Sequence, residues 1–371
     1  MIEASAHDQA PTRAQDTDRD PRPLAGLASC ADLPEHEGIG PPLEQELQPG
    51  FVLDGRFRIE APIGRSGMAT VYRASDQHTG RSVAVKIPLM RVESDPAAFG
   101  RYQREERICA SLSDPLLLRY IPVEPSLRSR AYFVTEYLDG CSLALVMHRT
   151  KPIPEGEALR IASVACSALG EMHRRGYMHL DVKPANFMVG RDGSLCLLDF
   201  GLAAEVEPKA GLLSAMTPVF GTPDYMAPEH LQNKRCDSRS DLYSLGVILH
   251  QMLTGVLPFV GDDPWKAARQ RVSGDPVAPR LVNSAISPEA EEIVLRAMRR
   301  DPSERYPSAD AFKADLDSPR SVRVTGLCDQ LRAPHFQMSL TGTPILSGVL
   351  IGVGTLAAFL GLFLALMHHH R

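Results

Sequence analysis

Asp181, Lys183, Asn186 and Asp199 lie close together along the chain, in the segments His179-Leu180-Asp181-Val182-Lys183-Pro184-Ala185-Asn186 and Asp199-Phe200-Gly201. A carboxylate can orient or accept a hydroxyl proton, an ammonium can offset phosphate charge, and an amide oxygen with a second carboxylate suits a hard divalent cation. Transfer of a phosphoryl group needs this combination, because it relies on positioning and charge neutralisation more than on covalent help from the protein. Taken singly these residues are ordinary, since Asp and Asn are common in turns. Their order and spacing are what point to the chemistry.

Two further segments supply complementary groups. Lys86 ends the strand-like run Val83-Ala84-Val85-Lys86, and Glu105 follows 19 residues later on a segment with helical spacing. There its carboxylate can hold the ammonium in place; Glu106 is the alternative register. The stretch Ile63-Gly64-Arg65-Ser66-Gly67-Met68-Ala69-Thr70-Val71-Tyr72 is small and glycine-bearing. Small residues let backbone N–H groups approach phosphates, although the same stretch also fits an ordinary hairpin turn.

The elements that would position these groups fall into two kinds. Residues 57–62, 70–74, 82–88 and 132–137 alternate or cluster apolar side chains between turn signals, which predicts a small antiparallel sheet. Helical spacing is predicted over 99–112, 156–175, 241–254 and 288–299. A β-rich lobe followed by a larger helical one is an α+β arrangement with a cleft at the joint, where ligands commonly bind.

In this order the segments resemble a bacterial Ser/Thr protein kinase of the eukaryotic-like, Hanks type over residues 49–318. The loop Gly67-Met68-Ala69-Thr70-Val71-Tyr72 is similar to that of bacterial members, and Phe133-Val134-Thr135-Glu136-Tyr137-Leu138-Asp139-Gly140 to the family's hinge. The resemblance implies a two-lobed kinase fold. It implies ATP and Mg2+, or Mn2+, as cofactors and protein Ser/Thr hydroxyls, its own included, as acceptors. Asp181 would be the base, Lys183 would neutralise the γ-phosphoryl group, and Lys86 with Glu105 would hold the other phosphates. The nucleotide would meet Ile63, Gly64, Arg65, Ser66, Gly67, Val71, Ala84, Lys86, Thr135, Glu136, Leu138 and Asn186, with metal on Asn186 and Asp199. Thr222 would lie near Asp181 and Lys183, Glu229 would pair with Arg305, and Asp241 would brace the catalytic loop.

Three positions depart from the family pattern: Ser66 and Ala69 replace glycines, and Leu180 stands where most relatives carry Arg. Without that guanidinium, phosphorylation of Ser214 or Thr217 is not expected to switch activity strongly. The departures keep two other readings open, a catalytically weak pseudokinase scaffold and a kinase-like enzyme acting on small molecules. The form of Gly221-Thr222-Pro223-Asp224-Tyr225-Met226-Ala227-Pro228-Glu229 is that of protein kinases, which speaks against the second.

The chain's 371 residues leave room for appendages, and the formal charge of -5 is unevenly spread. Residues 1–50 hold ten acidic and three basic side chains, so the remainder is nearly neutral and gives no electrostatic case for nucleic acid as partner. Residues 1–48 read as a disordered acidic, proline-rich leader. Seven cysteines without paired spacing read as reduced thiols. Residues 319–344 form an arginine-bearing linker, and 345–367 are 23 residues without a charge. At 1.5 Å per residue such a helix is about 34 Å long, enough to span a bilayer. Only residues 368–371 follow it. The expectation is therefore a single-pass C-terminal anchor in the cell membrane with the kinase domain cytoplasmic. Gly348 and Gly352 have the spacing of a helix-dimerisation face, which would make a homodimer.

Overall fold

The computed structural model describes residues 46–206, 223–259 and 264–331. The leader up to residue 45, Ser214, Thr217, Gly221, Thr222 and the apolar segment 345–367 lie outside these residues. The chain divides into two units, Met1–Arg332 and Ala333–Arg371, and only the first contains described residues. Among the described residues no helix is long and apolar enough to cross a membrane.

The first lobe is a six-stranded antiparallel sheet. Its strands are β1 (Val52–Leu53), β2 (Phe57–Arg65), β3 (Ala69–Asp76), β4 (Ser82–Pro88), β5 (Tyr120–Ile121) and β6 (Phe133–Glu136), in the order β1-β2-β3-β4-β6-β5. Two helices, α1 (Met90–Glu93) and α2 (Pro96–Ser111), follow β4. The period of two along β4 buries Val83, Val85 and Ile87 with Phe57, Ile59, Tyr72 and Val134. Lys86 and Ala84 therefore stand on the opposite face, toward the second lobe. Helix α2 begins three residues before the predicted start, because Asp95 accepts N-capping bonds from Ala97 (2.9 Å) and Ala98 (3.3 Å), and Pro96 suits the first turn. Its buried positions Ala98, Tyr102, Glu105, Ile108 and Cys109 recur at helical spacing, which turns Glu105 inward.

The second lobe opens with β7 (Gly140–Ser142), α3 (Leu143–Arg149), α4 (Glu155–Arg174) and β8 (Tyr177–Met178). Strands β9 (Phe187–Gly190), β10 (Leu195–Leu197) and β11 (Ala204–Glu205) come next. They form a β10-β9-β7 sheet and a β8–β11 pair that frame the catalytic loop. Helices α5 (Pro228–Leu231), α6 (Ser238–Thr254), α7 (Pro264–Ser273), α8 (Pro279–Val282), α9 (Pro288–Ala297) and α10 (Ala309–Asp317) complete it. Helix α6 is buried along most of its length and forms one large core with α4, α9 and α10, while Asp241, His250 and Thr254 on it are buried and hydrogen-bonded. The four predicted helices are α2, α4, α6 and α9, each within a few residues of the expected bounds.

Cys109, Cys166, Cys196, Cys236 and Cys328 are free thiols. Cys141 is disulfide-bonded, so the expectation of reduced cysteines throughout does not hold for it.

Candidate active site

Between the lobes lies a cleft of about 680 Å3. Of the residues expected to meet a nucleotide, Ile63, Gly64, Arg65, Ser66, Val71, Ala84, Lys86, Thr135, Glu136, Leu138 and Asn186 line it, together with Glu105 and Asp199. Gly67 does not; it sits at the exposed turn between β2 and β3. Leu118, Met188 and Leu198 complete the wall, as do Ala144, Leu145 and His148. These were not expected, because they are single side chains from separate segments with no motif around them.

Lys86 Nζ bonds Glu105 Oε1 and lies 3.7 Å from Asp199 Oδ1. Glu106 is not the partner: it accepts from Arg128 (2.7 Å) and Tyr120 (3.0 Å) on the other side of α2. Burial alone would push the Lys86 pKa down, but the carboxylates of Glu105 and Asp199 outweigh it and hold the ammonium protonated above its ordinary range. Burial raises the Glu105 carboxyl above its usual value despite Lys86. Asp199 is held below its usual value by the Lys86 charge, against the opposing effect of burial. The result is a strong local cation held between two carboxylates.

The catalytic loop is held from below. Asp241 on α6 accepts from the backbone N–H of His179 (2.9 Å) and Leu180 (2.8 Å) and bonds His173 Nε2 (2.8 Å). His179 Nε2 meets the Leu198 carbonyl at 2.9 Å, and the Asp181 N–H donates to His179 Nδ1 at 3.2 Å. Leu180 has φ +64°, a left-handed conformation that costs a branched residue about 1–2 kcal/mol. The two Asp241 bonds offset that cost and turn the Leu180 side chain into an apolar cluster with Met178 and Cys236, against Ala204 and Val206.

Past that turn, Lys183 Nζ donates to Asp181 Oδ2 at 2.7 Å, and Asn186 Nδ2 donates to the Asp181 carbonyl at 2.8 Å and to Oδ2 at 3.1 Å. With its amide nitrogen committed, the side-chain oxygen of Asn186 is the atom left for a cation. Asp199, its side chain 45% exposed, is the second oxygen donor on the cleft wall. Among the described residues no group of three or more His, Cys, Asp or Glu could hold a metal ion. Two oxygen donors beside a phosphate cleft still fit Mg2+, which normally takes one or two protein ligands plus phosphate and water.

The turn between β2 and β3 is closed by Ser66: its Oγ accepts from the N–H groups of Met68 (3.2 Å) and Ala69 (3.1 Å), and its own N–H donates to the Ala69 carbonyl at 2.9 Å. Those side-chain bonds take two N–H groups that a glycine-rich loop would leave for phosphate. At the hinge, Thr135 is buried and its Oγ1 donates to the Glu136 carbonyl at 3.2 Å, which leaves that oxygen one lone pair. Lower down, Glu229 and Arg305 form a bidentate pair with both contacts at 2.7 Å.

The fold and this site define a class. Residues 57–316 match the protein kinase domain, and the chain belongs to that family. Its relatives are bacterial serine/threonine-protein kinases. It is 35% identical to PknB of Mycolicibacterium smegmatis over 294 residues, covering 76% of this chain and 47% of that protein. It is 34% identical to PknB of Mycobacterium tuberculosis over 267 residues, covering 71% and 43%. Pkn3 of Myxococcus xanthus is 35% identical over 277 residues, covering 72% and 51%. The chain thus spans about half or less of the length of the curated relatives it matches. The crystal structure of a mutant form of the Mycobacterium tuberculosis PknI kinase domain shares the fold with a TM-score of 0.57 at 23% identity, covering 74% of this chain and 100% of that one.

Proposed function

We propose that this protein is a membrane-anchored serine/threonine protein kinase that transfers the ATP γ-phosphoryl group to protein hydroxyls, its own among them. The observation that carries the reading is the convergence of Lys86, Glu105 and Asp199 on one cleft with Asp181, Lys183 and Asn186 beside it. In this mechanism Glu105 fixes the Lys86 ammonium against the phosphates nearer the adenine. Asp181 orients the acceptor hydroxyl and takes its proton, and Lys183, already 2.7 Å from Asp181, moves to offset charge on the transferred group. Asn186 and Asp199 would hold a divalent cation, which would supply charge to offset that of the phosphates.

The test uses the full chain in detergent with Mg2+, γ-labelled ATP and a generic protein acceptor. Label is expected on Ser or Thr, and Asp181→Asn should lower transfer about 10²–10⁴-fold. One observation favours the scaffold reading instead: Ser66 withdraws two backbone N–H groups from the phosphate loop. Wild type as inactive as Asp181→Asn would support that scaffold.

Control through a phosphorylated activation segment is not proposed, because Leu180 contributes an apolar contact in place of a guanidinium. Ser214→Ala with Thr217→Ala is expected to change transfer by less than about threefold, under about 0.7 kcal/mol. Near-complete loss with the fold intact would refute this. The membrane assignment rests on the uncharged run 345–367 and the arginines before it. Full-length protein should stay with membranes after alkaline carbonate extraction, and deletion of 345–371 should release it; release of both would remove the anchor. Dimerisation through Gly348 and Gly352 is proposed with it, and failure of the isolated span to crosslink in a bilayer would end that part.

A further inference from the structure

The turn that covers the phosphate end of the cleft is tied to a residue that precedes the sheet. Arg65, the last residue of β2, lines the cleft. Its Nε donates to Oε1 of Glu46 at 2.5 Å, and Nη2 pairs with the same oxygen. The two side chains are only 14% and 9% exposed, so water and salt screen this pair far less than one on the open surface. Glu46 is in turn fixed to the lobe by its neighbour. The N–H of Leu47 donates to Tyr72 Oη at 3.2 Å, and the Leu47 side chain packs against the core of the first lobe.

The strand's own ladder holds that end of β2 weakly. Strand β1 meets β2 at Phe57 and Arg58, so among the described residues β2 is paired from Ala61 onward on its β3 side alone. That pairing shifts register twice, between Ile59 and Ala61 and between Pro62 and Gly64, before it reaches Arg65. Such irregularities bend and twist a strand, so its end is set by what else touches it. Past Arg65 the turn is anchored from the β4–α1 connection: the Leu89 N–H donates to the Met68 carbonyl at 2.9 Å and Arg91 Nη2 to the Gly67 carbonyl at 3.0 Å. Glu46 supplies the tie at the β2 end of the same turn. Because Ser66 Oγ engages the N–H groups of Met68 and Ala69, the turn offers phosphates fewer donors and depends more on where its backbone is held.

We propose that Glu46 is a positioning residue for nucleotide binding: through Arg65 it fixes the end of β2, and with it the turn that follows, over the phosphates. The inference rests on the nucleotide reading of the cleft given above. It makes the stretch just before the sheet a part of the ATP site, so that a change there is a change in nucleotide affinity.

Equilibrium binding of the non-hydrolysable analogue AMP-PNP with Mg2+ to the full chain in detergent, with adenosine as a second probe, tests this. Glu46→Gln should weaken AMP-PNP binding about fivefold or more. Adenosine binding should be unchanged, because adenosine carries no phosphate for the turn to cover. In the transfer assay the same variant should raise KM for ATP by the same factor with kcat unchanged, as expected when ground-state and transition-state binding weaken together. The exchanged pair, Glu46→Arg with Arg65→Glu, should recover most of the lost affinity. If that pair does not fold, Glu46→Asp, with the charge on a shorter stem, should fall between wild type and Glu46→Gln. Arg56→Met breaks another ion pair of the same lobe, Arg56 with Asp76 at 2.8 Å, and should lower the thermal midpoint without changing AMP-PNP affinity. Glu46→Gln binding AMP-PNP as tightly as wild type, or more tightly, overturns the inference alone. An equal loss with adenosine or in Arg56→Met is a general loosening of the lobe and overturns it too. A wild type that binds neither probe removes the nucleotide reading, and this inference with it.

Discussion

Glu105 and Glu229 are both buried carboxylates facing a cation, and the two pairs differ in what remains unbound. Arg305 spends all five of its N–H donors: two on Glu229, and the others on the carbonyls of Arg299 (2.7 Å), Arg239 (3.1 Å) and Arg300 (3.0 Å). Glu229 also accepts from Ser240 Oγ at 2.7 Å. Burial raises its pKa, yet Arg305 and Ser240 more than reverse this and hold it below the ordinary value. Lys86 makes one hydrogen bond, to Glu105, and leaves donor capacity facing a partly exposed Asp199. A saturated pair ties α5 to the turn that follows α9. The unsaturated pair keeps donors for a ligand, and burial holds the Glu105 pKa above its ordinary value despite Lys86.

Breaking the saturated pair should have the largest effect on stability. Arg305→Ala leaves Glu229 without its cation and should cost about 3–5 kcal/mol in urea unfolding; a cost below about 1 kcal/mol would erase the contrast.

An acid titration of stability separates the two carboxylates by sign. The depressed pKa of Glu229 contributes stability that is present above its ordinary 4.5 and lost as pH falls through the lower folded value. The raised pKa of Glu105 works in reverse, its contribution being present below 4.5 and lost as pH rises through the higher folded value. Relative to wild type, Glu229→Gln should therefore fare worse above pH 4.5 than below it, and Glu105→Gln better. Parallel curves for the two variants would break the comparison.

The smallest effect is expected at the alkaline end. The raised Lys86 pKa contributes stability that is fully present below its ordinary 10.5 and lost as pH climbs through the folded value, so Lys86→Met should flatten that limb.

The residues that converge on the cleft were legible because short motifs fix their mutual spacing. Asp181, Lys183 and Asn186 sit on one loop, whereas the choice of Glu105 over Glu106 needed the structure, which turns Glu105 toward Lys86 and Glu106 toward Arg128. The two-lobed architecture was legible for the long, strongly periodic helices α4 and α6. Strands of two to four residues, such as β5, β7 and β8, carry too few alternations to be read. The floor of the cleft, Leu118, Met188 and Leu198, was hidden because packing across distant segments leaves no local pattern. Ser66 looked like a small stand-in for glycine, and its side-chain bonds to the turn depend on geometry that composition does not carry.

Lys86→Met, prepared as the full chain and measured for label transfer and urea unfolding on one preparation, tests the contrast most directly. Transfer should fall about 10²–10³-fold, while stability drops by less than about half the cost of Arg305→Ala, because Glu105 can take up a proton in place of its partner. Transfer at the wild-type rate, or a loss that only follows the unfolded fraction, would contradict the account.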